Sequence, residues 1–146
     1  MPWDLGMDRA RHTIYEYELP GGWKVLAGKS DEDNDFLSLK AAHPNDYWFH
    51  VRAMPGSHVI LRARPDEDPD RETLKRAAAV AAFHSKARKG GIVAVSCTRA
   101  RYVKKPRGAR PGTVRMRKET VFKVRPGLQY VTDISGFKED LGHPFN

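Results

Sequence analysis

Short runs in which apolar and polar residues alternate recur along the chain and predict a set of β-strands. Such runs cover residues 12–19, 23–27, 47–52, 57–63, 92–97, 101–104, 113–117 and 120–124. Proline and glycine interrupt them at 20–22 and 53–56, so the flanking strands are predicted to pair as hairpins. The acidic segment 31–35 is expected to be a turn, and 36–42 a short helix that Pro44 ends.

One long helix is predicted after Asp70, whose carboxylate suits the cap position of a helix. Small and apolar residues recur at helical spacing from Leu74 through Ala77 and Ala81 to Ser85, ahead of a glycine pair at 90–91. Small side chains let a helix approach a sheet closely. The pattern predicts an α+β fold, a mainly antiparallel sheet with one long helix packed on it. We expect one domain over 1–126 and a C-terminal tail over 127–146.

The charge is unevenly distributed along the chain, and its distribution indicates which class of partner the protein binds. The net charge is +8, and 14 of the 26 basic residues lie between Lys86 and Arg125, where Glu119 is the single acid. Such a density of one sign is typical of a surface for a polyanion, with RNA or DNA favoured over acidic lipid. The alternative is that the charge only keeps the protein soluble.

The cellular setting is predicted from what the sequence lacks. Cys97 is the only cysteine and lies in an apolar run, so we expect a buried, inert thiol in a reducing compartment. No stretch approaches the ~20 apolar residues that cross a bilayer, and residues 1–4 do not resemble the start of a signal peptide. The sequence predicts a cytoplasmic protein without membrane contact.

An aromatic and basic segment at 46–52 is the first candidate site. In a strand, Trp48, His50 and Arg52 share one face, while Tyr47, Phe49 and Val51 share the other. We expect the first face to be exposed, and with Ser57 and His58 from the next strand to bind unpaired bases and phosphate. The alternative is that Trp48 packs in the core and that the histidines are structural.

A second candidate site is the segment 104–112, in which prolines and glycines separate four cations. Lys104, Lys105, Arg107 and Arg110 are expected to lie along an extended loop and to bind the phosphates of a nucleic-acid backbone. The predicted RNA-binding residues are therefore Trp48, His50, Arg52, Ser57, His58, Lys104, Lys105, Arg107 and Arg110.

Several separated motifs together resemble the NFACT-R module, the RNA-binding domain of the NFACT family. They are Gly22-Trp23-Lys24-Val25-Leu26-Ala27-Gly28-Lys29-Ser30, Asp46-Tyr47-Trp48-Phe49-His50, Pro55-Gly56-Ser57-His58-Val59-Ile60, Ser85-Lys86-Ala87-Arg88 and Val103-Lys104-Lys105-Pro106. Their order and spacing match the family over about 23–126.

The resemblance implies an RNA-binding adaptor whose partners are tRNA or rRNA, with the large ribosomal subunit as a further candidate. Full-length members of the family sense stalled large subunits that carry peptidyl-tRNA, and they recruit tRNA for tailing of the nascent chain. A chain of 146 residues leaves no room for their other domains. We therefore expect a free-standing bacterial module rather than a complete tailing factor.

Other classes of site find weaker support in the sequence. Gly28-Lys29-Ser30 lacks the earlier glycine of a phosphate-binding loop, and no helix is expected to follow it, so no nucleotide cofactor is predicted. No metal or other cofactor is predicted either, because the histidines and Cys97 lack the paired spacing of a zinc site. Two alternatives stay open. One is an RNA-modifying or RNA-cleaving enzyme that uses His50 and His58, and the other is a protein–protein adaptor on the ribosome.

Overall fold

The computed structural model describes residues 11–135. The prediction on the chain start at 1–4, and the part of the predicted tail from 136 to 146, lie outside the described residues. The described chain contains nine strands, two α-helices, one π-helical turn and one 3-10 turn. In chain order they are β1 (Ile14–Leu19), β2 (Trp23–Gly28), α1 (Asp31–Phe36), the π turn (Leu37–Ala41), β3 (Tyr47–Val51), β4 (Val59–Leu61), α2 (Arg71–Phe83), β5 (Val93–Arg99), the 3-10 turn (Ala100–Tyr102), β6 (Val103–Lys104), β7 (Arg115–Met116), β8 (Thr120–Val124) and β9 (Asp133–Ser135).

Seven strands form one antiparallel sheet in the order β8-β5-β3-β4-β2-β1-β9, while β6 and β7 pair as a separate hairpin. The α+β prediction of a mainly antiparallel sheet with one long helix is confirmed. The two predicted hairpins are also present, because β1 pairs with β2 and β3 pairs with β4. Strand β3 lies near the centre of the sheet, between β5 and β4.

The helix α2 packs on one face of the sheet. Asp70 caps it by accepting the backbone N–H of Thr73 at 2.8 Å, as the sequence predicts. All residues from Ala77 to Ala82 are buried. Their small side chains bring the helix close to Phe49 and to the other apolar residues of this face. The segment after β8 contacts the helix as well, where the Gly127 N–H donates to the Ala79 carbonyl at 3.2 Å.

The opposite face of the sheet has its own apolar cluster, which the sequence does not predict. Trp48 and Ile60 from the sheet pack there against Phe36 and Leu37 from α1 and the π turn, and against Val103 from β6. The centre of the molecule therefore has three layers, with α2 on one side of the sheet and the α1 and β6–β7 region on the other. This third layer decides which of the predicted site residues are accessible.

The acidic segment 31–35 is a helix, so the prediction of a turn is wrong. Ser30 and Asp33 form a capping box, in which the Ser30 hydroxyl accepts the Asp33 N–H and the Asp33 carboxylate accepts the Ser30 N–H. Carboxylates in a first helical turn are also favoured by the helix dipole. Ser30 and Asp33 have the spacing of a capping box in the sequence, although a cluster of acids is also common in turns.

Several predicted boundaries shift. The runs at 101–104 and 113–117 shorten to the two-residue strands β6 and β7, because Ala100–Tyr102 is a 3-10 turn and the hairpin pairs only near its base. The helix α2 ends at Phe83, before the predicted Ser85. Within the described residues, no helix combines the length and the apolar character that crossing a membrane requires.

Candidate nucleic-acid interface

The basic hairpin, residues 103–116, projects from the third layer and carries a row of exposed cations. Lys104 and Arg115 are paired neighbours across β6 and β7. Arg107 and Arg110 lie in the loop between the two strands and are exposed. Gly108 and Gly112 have φ values of 75° and 85°, a region that glycine enters without strain, and they allow the loop to turn twice. Four cations are thus displayed on one short segment.

The loop of the basic hairpin is held against α1 by Asp35. One oxygen of this carboxylate accepts the Gly112 N–H at 2.9 Å, and the other accepts the Lys105 ammonium at 2.8 Å. Lys105 also donates to the Arg110 carbonyl at 2.8 Å. Lys105 therefore closes the loop from inside, and its charge is largely compensated by Asp35.

A buried chain of hydrogen bonds supports the same loop from below. The Trp48 indole N–H donates to the Ser38 hydroxyl at 2.9 Å, and this hydroxyl lies 2.7 Å from Nδ1 of His58. Nε2 of His58 lies 3.2 Å from the Gly112 carbonyl oxygen. Because the indole only donates and the carbonyl only accepts, the chain is satisfied when Ser38 donates to Nδ1 and His58 carries its proton on Nε2.

His58 is held as the neutral imidazole. Burial, together with a smaller contribution from the neighbouring His50 ring, lowers the pKa of His58 to about 4. Burial also lowers the pKa of His50, whose ring centroid lies 5.5 Å from that of His58. Both ring nitrogens of His58 are engaged within the protein, so this side chain is a structural support rather than an exposed proton carrier.

Three residues predicted for the exposed RNA-binding face are buried, and this part of the prediction is wrong. Trp48, Ser57 and His58 are each 2% exposed. Trp48 lies under the third layer, and the Ser57 hydroxyl donates to the Gly28 carbonyl at 2.5 Å. The predicted division of faces is nevertheless confirmed, since Phe49 faces α2 and Trp48 does not.

The remaining predicted residues differ in their accessibility. His50 is half-buried beside His58, and Arg52 is exposed with its Nε 3.4 Å from a carboxylate oxygen of Glu119. Lys105 is half-buried, whereas Lys104, Arg107 and Arg110 are exposed. The structure brings the two predicted sites together, because the buried residues of the first hold the loop of the second. The predicted interface is therefore reduced to its cations, with the aromatic residues beneath them.

Other combinations of reactive residues are separated in the structure. His84 and Cys97 lie on the α2 side of the sheet, away from His50 and His58. Within residues 11–135, no three metal-ligating side chains converge. Burial raises the pKa of the Cys97 thiol to about 12. The buried thiol agrees with the prediction of an inert cysteine.

A helix does follow Gly28-Lys29-Ser30, so the prediction that none follows is wrong. Its first turn carries Asp31, Glu32 and Asp33, and the Ser30 hydroxyl occupies one of its N–H groups. Negative side chains at this position repel a phosphate. The segment is thus a capped helix start and not a cradle for a nucleotide.

Replacing Asp35 by alanine is expected to loosen the loop of the basic hairpin, because this carboxylate accepts both the Gly112 amide and the Lys105 ammonium. An unsatisfied or lost hydrogen bond of this type costs about 1–3 kcal/mol, which is about a 5- to 150-fold change in an opening equilibrium. Hydrogen exchange at the Gly112 amide should accelerate by that factor. Glu32→Ala, an exposed position on the same helix, is the control, and unchanged protection in Asp35→Ala would contradict the assignment.

A cavity that the sequence does not predict opens near the base of the basic hairpin. It is lined by two tyrosines and three cations among other residues, and these five are Tyr47, Arg71, Arg99, Tyr102 and Lys118. Alternation along β3 predicts Tyr47 on the core face, and no pattern in the sequence singles out Tyr102. The available signal was the proximity in sequence of Tyr102 to Arg101, Lys104 and Lys105.

Comparisons with known proteins identify the family of the domain. A family model described as the NFACT protein RNA binding domain matches residues 14–118. The Rqc2 homolog RqcH of Bacillus subtilis is 40% identical over 102 residues, which are 70% of this chain and 17% of that protein. The protein of the same name from Streptococcus suis is 38% identical over 125 residues, which are 81% of this chain and 22% of that protein.

A solved structure shows the same fold. It is the C-terminal part of the fibronectin/fibrinogen-binding protein from Streptococcus suis, which is 35% identical with a TM-score of 0.75 and matches over 83% of this chain and 48% of that one. The chain spans only 17% and 22% of the two RqcH relatives, so the resemblance concerns one module of those longer proteins. The matched range 14–118 contains all the strands from β1 to β7 and both helices. The chain belongs to the family of NFACT protein RNA-binding domains.

Proposed function

We propose that this domain binds RNA through the basic hairpin and serves ribosome quality control, with tRNA or large-subunit rRNA as its ligand. The observation that carries the proposal is the row of exposed cations on a loop that the protein holds in place. Lys104, Arg107, Arg110 and Arg115 are exposed, while Asp35 and the buried His58 chain fix the backbone that presents them. The RqcH relatives supply the link to quality control of ribosomes.

The chemistry of the hairpin favours recognition of the RNA backbone over reading of its sequence. Arginine forms paired hydrogen bonds with phosphate, and lysine supplies a point charge. Contacts to phosphate position a nucleic acid without identifying its bases. Because the loop is fixed by its hydrogen bonds before RNA arrives, less conformational entropy is lost on binding. We expect the hairpin to recognise the shape of a folded RNA.

Replacing Lys104, Arg107 and Arg110 together by glutamine is expected to weaken RNA binding by roughly tenfold or more at moderate salt, because each phosphate contact releases counterions. The slope of log affinity against log salt should fall by about 1 for each lost contact. Affinity for a tRNA transcript is measured by fluorescence anisotropy over a series of salt concentrations. Lys105 is left unchanged, because its ammonium holds the loop through Asp35.

A charge-matched variant distinguishes the hairpin from a general attraction to cations. Lys24, Lys75 and Lys89 lie outside the hairpin, and their replacement by glutamine removes the same charge. This control should keep the salt slope close to that of the unmodified protein. An equal loss in both variants would show that net charge alone drives binding, and it would refute the assignment of the interface.

The RNA itself can be identified by recovery from cell lysate. The unmodified protein, the hairpin variant and the charge-matched variant are each used to capture RNA, which is then sequenced. Enrichment of tRNA or large-subunit rRNA by the first and third proteins, with loss in the second, is the expected result. Capture of a ribosomal protein that survives nuclease treatment, without enriched RNA, would instead favour a protein–protein adaptor.

A further inference from the structure

The cavity beside the basic hairpin has the size and lining of a small-ligand site. Its volume is about 340 Å³, within the range of roughly 300–1,000 Å³ that is typical of such clefts. It lies on the α2 side of the sheet, between Arg71 in the first turn of the helix and Phe122 on β8. Tyr47 and Arg99 line it from β3 and β5. With Tyr102 from the 3-10 turn, five separate elements of the fold therefore build it.

The lining combines aromatic rings with positive charge. The Arg99 guanidinium carbon lies 4.1 Å from the centre of the Tyr47 ring, and Nζ of Lys118 lies 5.1 Å from the centre of the Tyr102 ring. Arg71 lies 5.2 Å from the Phe122 ring. The described residues that line the cavity include three cations and no carboxylate. A ligand with a planar ring and a negative charge suits this lining. A nucleotide has both, in its base and its phosphate.

The cavity is connected to the basic hairpin through residues that flank the hairpin in the sequence. Tyr102 immediately precedes β6, and its carbonyl accepts the Arg117 N–H at 3.1 Å just after β7. Arg117 also lies 5.5 Å from the Tyr102 ring. The two ends of the hairpin thus meet at the rim of the cavity. The residues that flank the hairpin, Tyr102 and Lys118, therefore also line the cavity.

We propose that the cavity binds one unpaired nucleotide of the RNA, and this rests on the RNA-binding function proposed above. The base stacks against Tyr102 and Tyr47, and Arg99 and Lys118 bind the adjacent phosphate. Stacking on aromatic side chains accepts any base, because every base has a π face. The buried Cys97 and Phe122 provide an apolar floor. The cavity would give the domain a preference for RNA with an exposed, unpaired base, which the hairpin alone does not confer.

The test uses a single-stranded oligoadenylate of seven nucleotides with 2-aminopurine at its centre, and a blunt duplex of the same length. Tyr102→Ala should weaken binding of the single strand by about 5- to 150-fold, the range that corresponds to one lost stack. It should leave the affinity for the duplex unchanged, because paired bases do not enter the cavity. The change in 2-aminopurine fluorescence on binding should also be lost.

A matched control and a second variant keep the test independent of folding. Tyr130 is an exposed tyrosine with Arg76 over its ring at 5.0 Å, and it lies outside the cavity, so Tyr130→Ala should bind the single strand normally. Lys118→Asn removes a cation at a position with φ of 57°, which asparagine tolerates. This variant should weaken binding of the single strand more than binding of the duplex. Thermal melts confirm that each variant is folded.

The outcomes separate this proposal from the proposed function. If the unmodified protein binds neither of these RNAs nor the tRNA transcript, the RNA-binding function itself fails. If it binds both, and Tyr102→Ala and Lys118→Asn bind the single strand as tightly as the unmodified protein does, the nucleotide cavity is wrong while the function stands. A titration with AMP provides the third arm. Saturable binding of AMP that Tyr102→Ala abolishes, with RNA binding unaffected, would show a site for a free nucleotide and overturn the proposal.

Discussion

Replacing Trp48 by alanine is expected to lower the free energy of unfolding by about 3–5 kcal/mol, as for other large aromatic residues in cores. Trp48 is 2% exposed and packs between the sheet and the third layer, against Phe36 and Leu37 among others. The variant also leaves the Ser38 hydroxyl without the indole N–H that donates to it at 2.9 Å. Urea denaturation measures the loss, which corresponds to a fall in melting temperature of about 10–20 °C.

Two companion variants divide this cost into its packing and hydrogen-bonding parts. Trp48→Phe retains much of the ring volume and should lose less stability than Trp48→Ala. Ser38→Ala removes the shared hydroxyl and should cost about 1–3 kcal/mol, because both the indole N–H and Nδ1 of His58 lose a partner. A loss of less than 1 kcal/mol in Trp48→Ala would mean that the residue is not packed.

The same variant separates the structural role of Trp48 from the role in base stacking that the sequence predicts. At a temperature where Trp48→Ala is folded, its affinity for single-stranded RNA relative to duplex should not change, because the ring does not reach the surface. Tyr102→Ala should change this ratio. A selective loss of single-strand affinity in Trp48→Ala would restore Trp48 to the interface.

Local patterns in the sequence predict most of the strands, the long helix and the two faces of β3. The alternation in 47–52 correctly separates Trp48 from Phe49, and Asp70 correctly marks the start of the long helix. The hairpin cations were also found, because charge density is visible without a fold. These features depend on residues that are near each other in the chain.

The layer that covers the second face depends on contacts between distant residues, and the sequence gives little sign of them. His58 and Gly112 are 54 positions apart, and Asp35 and Gly112 are 77 positions apart. Alternation shows that two faces of β3 differ, but it does not show whether the second face meets solvent or protein. For this reason the sequence predicts an exposed Trp48, although the third layer, which includes the basic hairpin, covers it. For the same reason the sequence does not predict the cavity at Tyr102, because five elements meet to form it.

The stability of the domain is expected to fall steeply as the pH decreases from about 6.5 to about 4. Burial lowers the pKa of His58 to about 4 and that of His84 to about 3, while an unfolded chain has histidine pKa values near 6.5. Between these values the unfolded state binds protons that the folded state does not. The contribution of each neutral histidine is therefore fully present above pH 6.5 and is lost as the pH falls towards its folded pKa. Each contributes a slope of up to about 1.4 kcal/mol per pH unit.

The expected pH dependence is measured by urea denaturation at a series of pH values, with ring-proton NMR of His58 as the direct observation. In His58→Gln, the slope of the free energy of unfolding against pH between pH 6.5 and 4 should fall by the amount due to one proton, about 1.4 kcal/mol per pH unit. The contribution of His84 should remain. The NMR signals of His58 should stay those of a neutral ring through pH 5. A midpoint near pH 6.5 would show a solvated ring, and the hydrogen-bond chain from Trp48 to Gly112 would then not support the hairpin.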